Sequence, residues 1–285
     1  MLDDFSSGKR ENLTGALDGG VSVTELDVSD APAVLGAIEG FAPQSIFHLA
    51  AQIDVRRSMA DPGFDARLNV IGTVNVLEAA TRAEAARLVF TSTGGAIYGE
   101  GADRLDELPF AETAPCEPYS VYGQSKLAAE GYIDLYSRTR DLAAGTVRLG
   151  NIYGPRQDPA TEAGVVAIFC AAARDGGRPT VFGTGQQTRD YVHVADVVEA
   201  LLAMEGSDDR GPINVGTGVE TTVLELAKRV GVSFGRDDFE PEVAPARLGE
   251  IERTVLDTNA AAELLGWRAK RTIETGLEET LAAEA

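Results

Sequence analysis

A chain of 285 residues, 44% hydrophobic, with a formal charge of −20, can bury an ordinary core as one large domain or as a large domain with a smaller one appended. So acidic a surface argues against nucleic acid or an anionic membrane as the main partner, but a few placed arginines could still hold a phosphorylated small molecule. There is no charged-then-apolar leader and no apolar run of membrane length. Cys116 and Cys170 stand apart without metal-ligand spacing, as do the two histidines, His48 and His193. The expectation is therefore a cytoplasmic chain with reduced thiols and no metal site.

In chain order, Val21 to Leu26 reads as a strand, Ala31 to Glu39 as a helix and Ser45 to Leu49 as the next strand. Asp65 to Arg82 then has helical periodicity, Arg87 to Ser92 reads as a strand, Val121 to Arg140 as a helix and Gly145 to Leu149 as a strand. Such alternation predicts an α/β, doubly wound parallel sheet with helices on both faces. Ligands of these sheets bind beyond the carboxyl ends of the strands, where Asp27, Ala50, Thr91 to Thr93 and Asn151 fall. After about Gly154 the texture changes. Gly176-Gly-Arg-Pro179, Gly183-Thr-Gly185 and Gly216-Thr-Gly218 interrupt shorter elements. This predicts a smaller mixed α/β region over residues 154–285, with 188–218, and Val194 to Met204 in particular, returning to the first domain of residues 1–153.

Tyr122 and Lys126, in Tyr122-Gly-Gln-Ser-Lys126, lie four apart and so share one helix face. A free tyrosine has a pKa of about 10, and a neighbouring ammonium favours its phenolate, bringing it towards use as a base. Alone, that spacing carries little, since many surface helices have one. Its context is the run Phe90-Thr-Ser-Thr-Gly-Gly-Ala-Ile-Tyr-Gly99, which sets hydroxyls at a strand end where they can share a proton with Tyr122 and a substrate alcohol. Gly94 and Gly95 there let backbone approach a ligand closely.

With these runs the chain resembles the extended short-chain dehydrogenase/reductase family and, within it, the UDP-glucose (galactose) 4-epimerases. The resemblance also rests on Leu2-Asp-Asp-Phe-Ser-Ser-Gly8, Asp27-Val28, His48-Leu-Ala-Ala51, Asn69-Val-Ile-Gly-Thr73, Asn151-Ile-Tyr-Gly-Pro155, Thr188-Arg-Asp-Tyr-Val-His193 and Asn214-Val-Gly-Thr-Gly218. It implies a Rossmann-like first domain that binds NAD. Asp3 would hold the adenosine ribose diol, Asp27 and Val28 the adenine, and Ala50 and Ala51 the cofactor floor. Lys126 would hold a ribose hydroxyl, and Asn69 would lie near the nicotinamide, or simply hydrogen-bond within its helix. For the sugar nucleotide it implies Asn151, Val165 and Val166 along the pocket, and Arg189 and Arg247 as a diphosphate clamp, suited by the planar guanidinium fork.

Relatives on this scaffold begin by oxidising C4 of the sugar. The 4,6-dehydratases follow the strand-end threonine with an Asp-Glu pair, and decarboxylases place a Glu there. Here those positions are Gly94 and Gly95, which cannot move a proton, so 4-epimerisation is the reading favoured. The family's usual catalytic serine aligns near Gly94, which leaves Thr93 for that role with Ser92 behind it. Thr254, small where the family gauges the sugar, leaves room for an acetamido group and implies use of UDP-GlcNAc/GalNAc beside UDP-Glc/Gal. Other readings are a nucleotide-sugar dehydratase or reductase, or a non-catalytic nucleotide-binding protein. The resemblance further implies a homodimer through the Asp65–Arg82 and Val121–Arg140 segments.

The family opens with a strand, a Gly-x-x-Gly-x-x-Gly turn and a helix, whose N-terminus takes the pyrophosphate. No such motif occurs in this sequence, so roughly 30 residues, one strand-turn-helix unit, are expected to be absent. A start assigned downstream of the true one accounts for this more simply than truncation. A chain beginning at Met1 is expected to bind NAD poorly and to be unstable.

Overall fold

The computed structural model describes residues 1–160, 164–246 and 250–283. The chain opens with β1 (Leu2–Asp3), α1 (Thr14–Asp18), β2 (Thr24–Glu25), α2 (Ala31–Phe41) and β3 (Ser45–His48). Next come α3 (Val55–Ala60), α4 (Pro62–Ala66), a π-turn over Arg67–Ile71, α5 (Gly72–Arg82), β4 (Arg87–Thr93), α6 (Gly94–Ile97) and α7 (Val121–Thr139). The rest comprises β5 (Ala144–Leu149), β6 (Asn151–Tyr153), α8 (Val165–Arg174), β7 (Thr180–Phe182), β8 (Thr188–His193), α9 (Val194–Glu205) and β9 (Ile213–Val215). It ends with β10 (Glu220–Thr222), α10 (Val223–Ser233), β11 (Glu242–Ala244), α11 (Asn259–Leu265) and α12 (Ile273–Ala282).

The central sheet is wholly parallel, in the order β3-β4-β5-β9. Every residue of β4 is buried, because successive side chains feed opposite cores. Leu88 and Phe90 pack with Val34, Leu77 and Ile133 of α2, α5 and α7. Val89 packs with Val147, Val197, Leu201 and Trp267 on the other face, where α9 lies against β4 and β5, and α11 against β9. A second sheet, β10-β8-β6, carries β8 parallel to β6 and antiparallel to β10. Its core holds Tyr153, Tyr191, Phe169, Leu226 and Leu277.

Two expected elements differ. The Val21–Leu26 strand is confined to Thr24–Glu25, because its parallel partner is only Leu2–Asp3. This β1–β2 pair forms its own sheet, not hydrogen-bonded to β3, and adjoins the main body through Leu2 and Leu26 packed on the α2/α5 core. The single Asp65–Arg82 helix is interrupted. Asp61 caps α4 at the Phe64 amide, and the chain then widens into the π-turn before α5. Such single-turn bulges, with i→i+5 bonding, often lie at functional sites, and Asn69 within this one binds the backbone of Gln52. Among the described residues no helix is long and apolar enough to cross a membrane.

Candidate active site

The carboxyl end of β4 and the first turns of α7 make the site. Ser120 caps α7 by accepting from the Gly123 amide at 3.1 Å, which starts the helix at Val121. Gly123 is required there: a Cβ would lie 2.6 Å from the Ala96 carbonyl oxygen. The Tyr122 amide donates to Ser58 Oγ of α3 at 3.1 Å. Further along, Glu130 takes a forked pair of bonds from Arg148 of β5, at 3.0 Å from Nε and 2.7 Å from Nη2, fastening α7 to the sheet.

This frame sets Tyr122 near Thr93, with Lys126 one turn further along α7. Burial pushes the Tyr122 phenol up to about 12, the hydrogen bond with Thr93 works the other way, and Asp65 adds to the rise. Lys126 is buried, donates Nζ to the Thr91 carbonyl at 2.9 Å and stands 4.7 Å from the centre of the Phe90 ring. Burial pulls its ammonium down to about 8, against the opposing pull of Asp65 and Glu130. Ser92 Oγ and Asn151 Oδ1 are buried with no hydrogen-bond partner among the described residues, and Asn151 Oδ1 lies 3.1 Å from where a Cβ on Gly95 would stand. Buried polar atoms left unpaired are costly unless a ligand or water completes them.

The β3 end is built around Asn69. Its amide accepts from Gln52 N at 2.8 Å and donates to Gln52 O at 2.9 Å and Asp65 Oδ2 at 3.1 Å, so it fixes the loop that contains the half-buried Ala50 and Ala51. His48 is held neutral, its pKa pushed down to about 3 by burial and by Lys126. Thr73 Oγ1 donates to the Asn69 carbonyl, so His48 Nε2, 3.0 Å away, is the protonated nitrogen and donates to it.

The remaining expected residues are spread around this centre. Asp3 Oδ1 accepts from Phe5 N at 2.8 Å beside Gly8, and exposed Asp27 accepts from Ser29 N at 2.7 Å. Val28 packs on Gly72, and its carbonyl accepts from Asn75. Val165 and Val166 open α8, with Val166 buried in the second core. Arg189 donates to the Thr188 carbonyl at 2.7 Å and pairs with Glu250 at 3.6 Å. Thr254 is buried, and Arg247 lies outside the described residues. Three residues join that the sequence reading missed. Gln52 and Asp65 complete the Asn69 network, and Tyr191, in register with Asn151 on the adjoining strand, has a buried, unpartnered hydroxyl. Asp65 was signalled by its four-residue spacing from Asn69; Tyr191 lay inside a run already noted.

A family model described as GDP-mannose 4,6 dehydratase matches residues 2–280. The chain belongs to this family. Within the GDP-mannose 4,6-dehydratase family, the UDP-glucose 4-epimerase of Mycolicibacterium smegmatis is 44% identical over 282 residues, covering 98% of this chain and 88% of the relative. A UDP-glucose 4-epimerase of Thermotoga maritima, solved with UDP-glucose, matches with a TM-score of 0.94 at 38% identity, over 99% of this chain and 89% of that one. The UDP-glucose 4-epimerase of Thermus thermophilus, solved with NAD, matches at 0.89 and 39% identity, again over 99% and 89%. The expected kinship and the doubly wound α/β fold are both borne out, and the chain is an enzyme of the family's epimerase/dehydratase kind.

Proposed function

We propose that this protein is an NAD-dependent 4-epimerase of UDP-hexoses, interconverting UDP-glucose and UDP-galactose. The observation that carries the reading is the Thr93–Tyr122–Lys126 constellation followed at once by Gly94 and Gly95, with no carboxylate where elimination of water would need an acid/base pair. Tyr122 takes the proton of the sugar C4 hydroxyl and later returns it, and Thr93, at the adjoining strand end, passes that proton between them. The Lys126 ammonium favours the phenolate. Asn151 and Tyr191, with unpartnered polar atoms, orient the sugar nucleotide, and Arg189 and Arg247 meet the diphosphate.

NAD, when bound, would supply reversible hydride transfer at the sugar C4. The residues present fit it: the Asp3 carboxylate suits a ribose diol, Ala50 and Ala51 are small enough to let a dinucleotide lie close, and Lys126 and the unpartnered Ser92 hydroxyl would hold its polar groups. Among the described residues no glycine-rich turn provides the pyrophosphate cradle. The finer proposals are that Thr254, a small side chain, admits UDP-GlcNAc/GalNAc, and that the protein works in the cytoplasm. It would do so as a homodimer through α5 and α7, whose outer faces include Tyr132 and Leu135, about two-fifths exposed (40% and 42%).

Product chromatography after incubation with NAD and UDP-galactose tests the reading. UDP-glucose with no net change in NAD supports it. A 4-keto-6-deoxy sugar would make the protein a dehydratase, net NADH oxidation in a parallel incubation with NADH and a keto-sugar nucleotide a reductase, and UDP-sugar binding without turnover a non-catalytic binder. Turnover of UDP-galactose with rejection of UDP-GlcNAc would remove the Thr254 proposal alone.

A further inference from the structure

Asp65 is fully buried, yet the proposed chemistry does not use it. Its Oδ2 accepts from Gln52 Nε2 at 2.9 Å and from Asn69 Nδ2 at 3.1 Å. Its Oδ1 has no hydrogen-bond partner among the described residues. α4, which carries it, packs directly on α7; Asp65 and Lys126 make no direct ion pair, but the negative charge of the carboxylate pushes the pKa of both Tyr122 and Lys126 up. Lys126 is equally enclosed and gives a hydrogen bond only to the Thr91 carbonyl among the described residues, although an ammonium has three donors. A lone buried carboxylate and a lone buried ammonium are each expensive, and each relieves the other.

The other charged groups on the elements around α7 are engaged elsewhere or turned to solvent. Glu130, on α7 itself, is taken by Arg148 of β5. Glu78 of α5 is bonded by Tyr136, Arg87 of β4 by the carbonyls of Met204 and Asp209. Arg57 of α3 and Arg67 of the π-turn lie over the Phe64 ring. Arg56 and Arg82 are exposed, and His48 of β3 is neutral.

We propose that Asp65 is the buried counter-ion of Lys126, a positioning residue that keeps the ammonium charged in the closed site and ties it, through Gln52 and Asn69, to the loop after β3. Its relevance to turnover rests on the proposed role of Lys126, but the charge coupling itself is testable without cofactor or sugar.

Lys9, Lys126, Lys228 and Lys270 are the only lysines, so protein carrying 13Cε-lysine gives few NMR signals, and Lys126→Met assigns the one that matters. In the wild type this signal titrates near 8. Asp65→Asn lowers its midpoint by about one pH unit and leaves the other three in place, while Asp65→Glu, which keeps the charge, holds it near the wild-type value. An unchanged Lys126 midpoint in folded Asp65→Asn overturns the proposal. Should Asp65→Asn be too unstable to titrate, the double variant Asp65→Asn/Lys126→Met decides. A paired role requires the double to melt above either single variant. A double that melts below both, as independent losses would, overturns it.

Discussion

Replacing Glu130 by alanine should loosen the catalytic helix from the sheet. The forked Arg148–Glu130 pair has side-chain exposures of only 6% and 10%, so the change strands a guanidinium in the interior, and breaking such a pair costs about 3–5 kcal/mol. Arg148 keeps bonds to the Tyr98 hydroxyl at 2.8 Å and the Glu112 carbonyl at 3.3 Å, which places the loss near the lower figure, about 3 kcal/mol. At about 2 °C per kcal/mol for a chain of this size, the melting temperature falls by roughly 6 °C. Urea unfolding followed by circular dichroism measures the difference directly. Glu130→Leu/Arg148→Met, which leaves no buried charge, should recover to within about 1 kcal/mol of the parent. A loss below about 1 kcal/mol in the single variant, the scale of an exposed pair, would refute the claim that this contact anchors α7.

Further expectations concern the site. Tyr122→Phe should lower kcat by about 10²- to 10⁴-fold while leaving UDP-sugar affinity near normal, and Thr93→Ala should lower kcat less; steady-state kinetics separates the two. Lys126 loses its proton near 8 when folded against 10.5 unfolded, so between those values the unfolded chain holds more protons and stability rises with pH. Lys126→Met should remove that rise in urea titrations across the window. His48 protonates near 3 when folded against 6.5 when unfolded. Its share of stability is therefore complete above 6.5 and falls away as the pH drops from 6.5 towards 3, and His48→Asn should flatten the acid limb of stability. Gly276→Ala would set a Cβ 1.9 Å from the Tyr153 hydroxyl, and should cost about 1–3 kcal/mol of stability by overpacking, read from the same melts.

The central elements were legible because local pattern and burial agree. β4 ends one residue beyond its expected bound and α7 one residue short of it, while the Ser120 cap starts α7 at Val121 as expected. Tyr122 and Lys126 share a face by spacing alone. Their surroundings were less legible. That Asn69 binds the Gln52 backbone depends on a π-turn, and nothing in a helical repeat signals an extra residue in one turn. Asp65 shows its meaning only once α4 is laid against α7. Likewise β2 reads as a longer strand from its own residues, because strand length is set by the partner, here the short β1. That Arg189 also pairs with Glu250 could not be read from its sequence run.

The most direct measurement follows the C4 hydrogen itself. UDP-galactose carrying deuterium at C4 is incubated with the protein and NAD, and the product is examined by NMR and mass spectrometry. The 4-epimerase reading requires UDP-glucose that keeps its deuterium at C4. Deuterium delivered to C6 of a 4-keto-6-deoxy product, or lost from the sugar altogether, would contradict it.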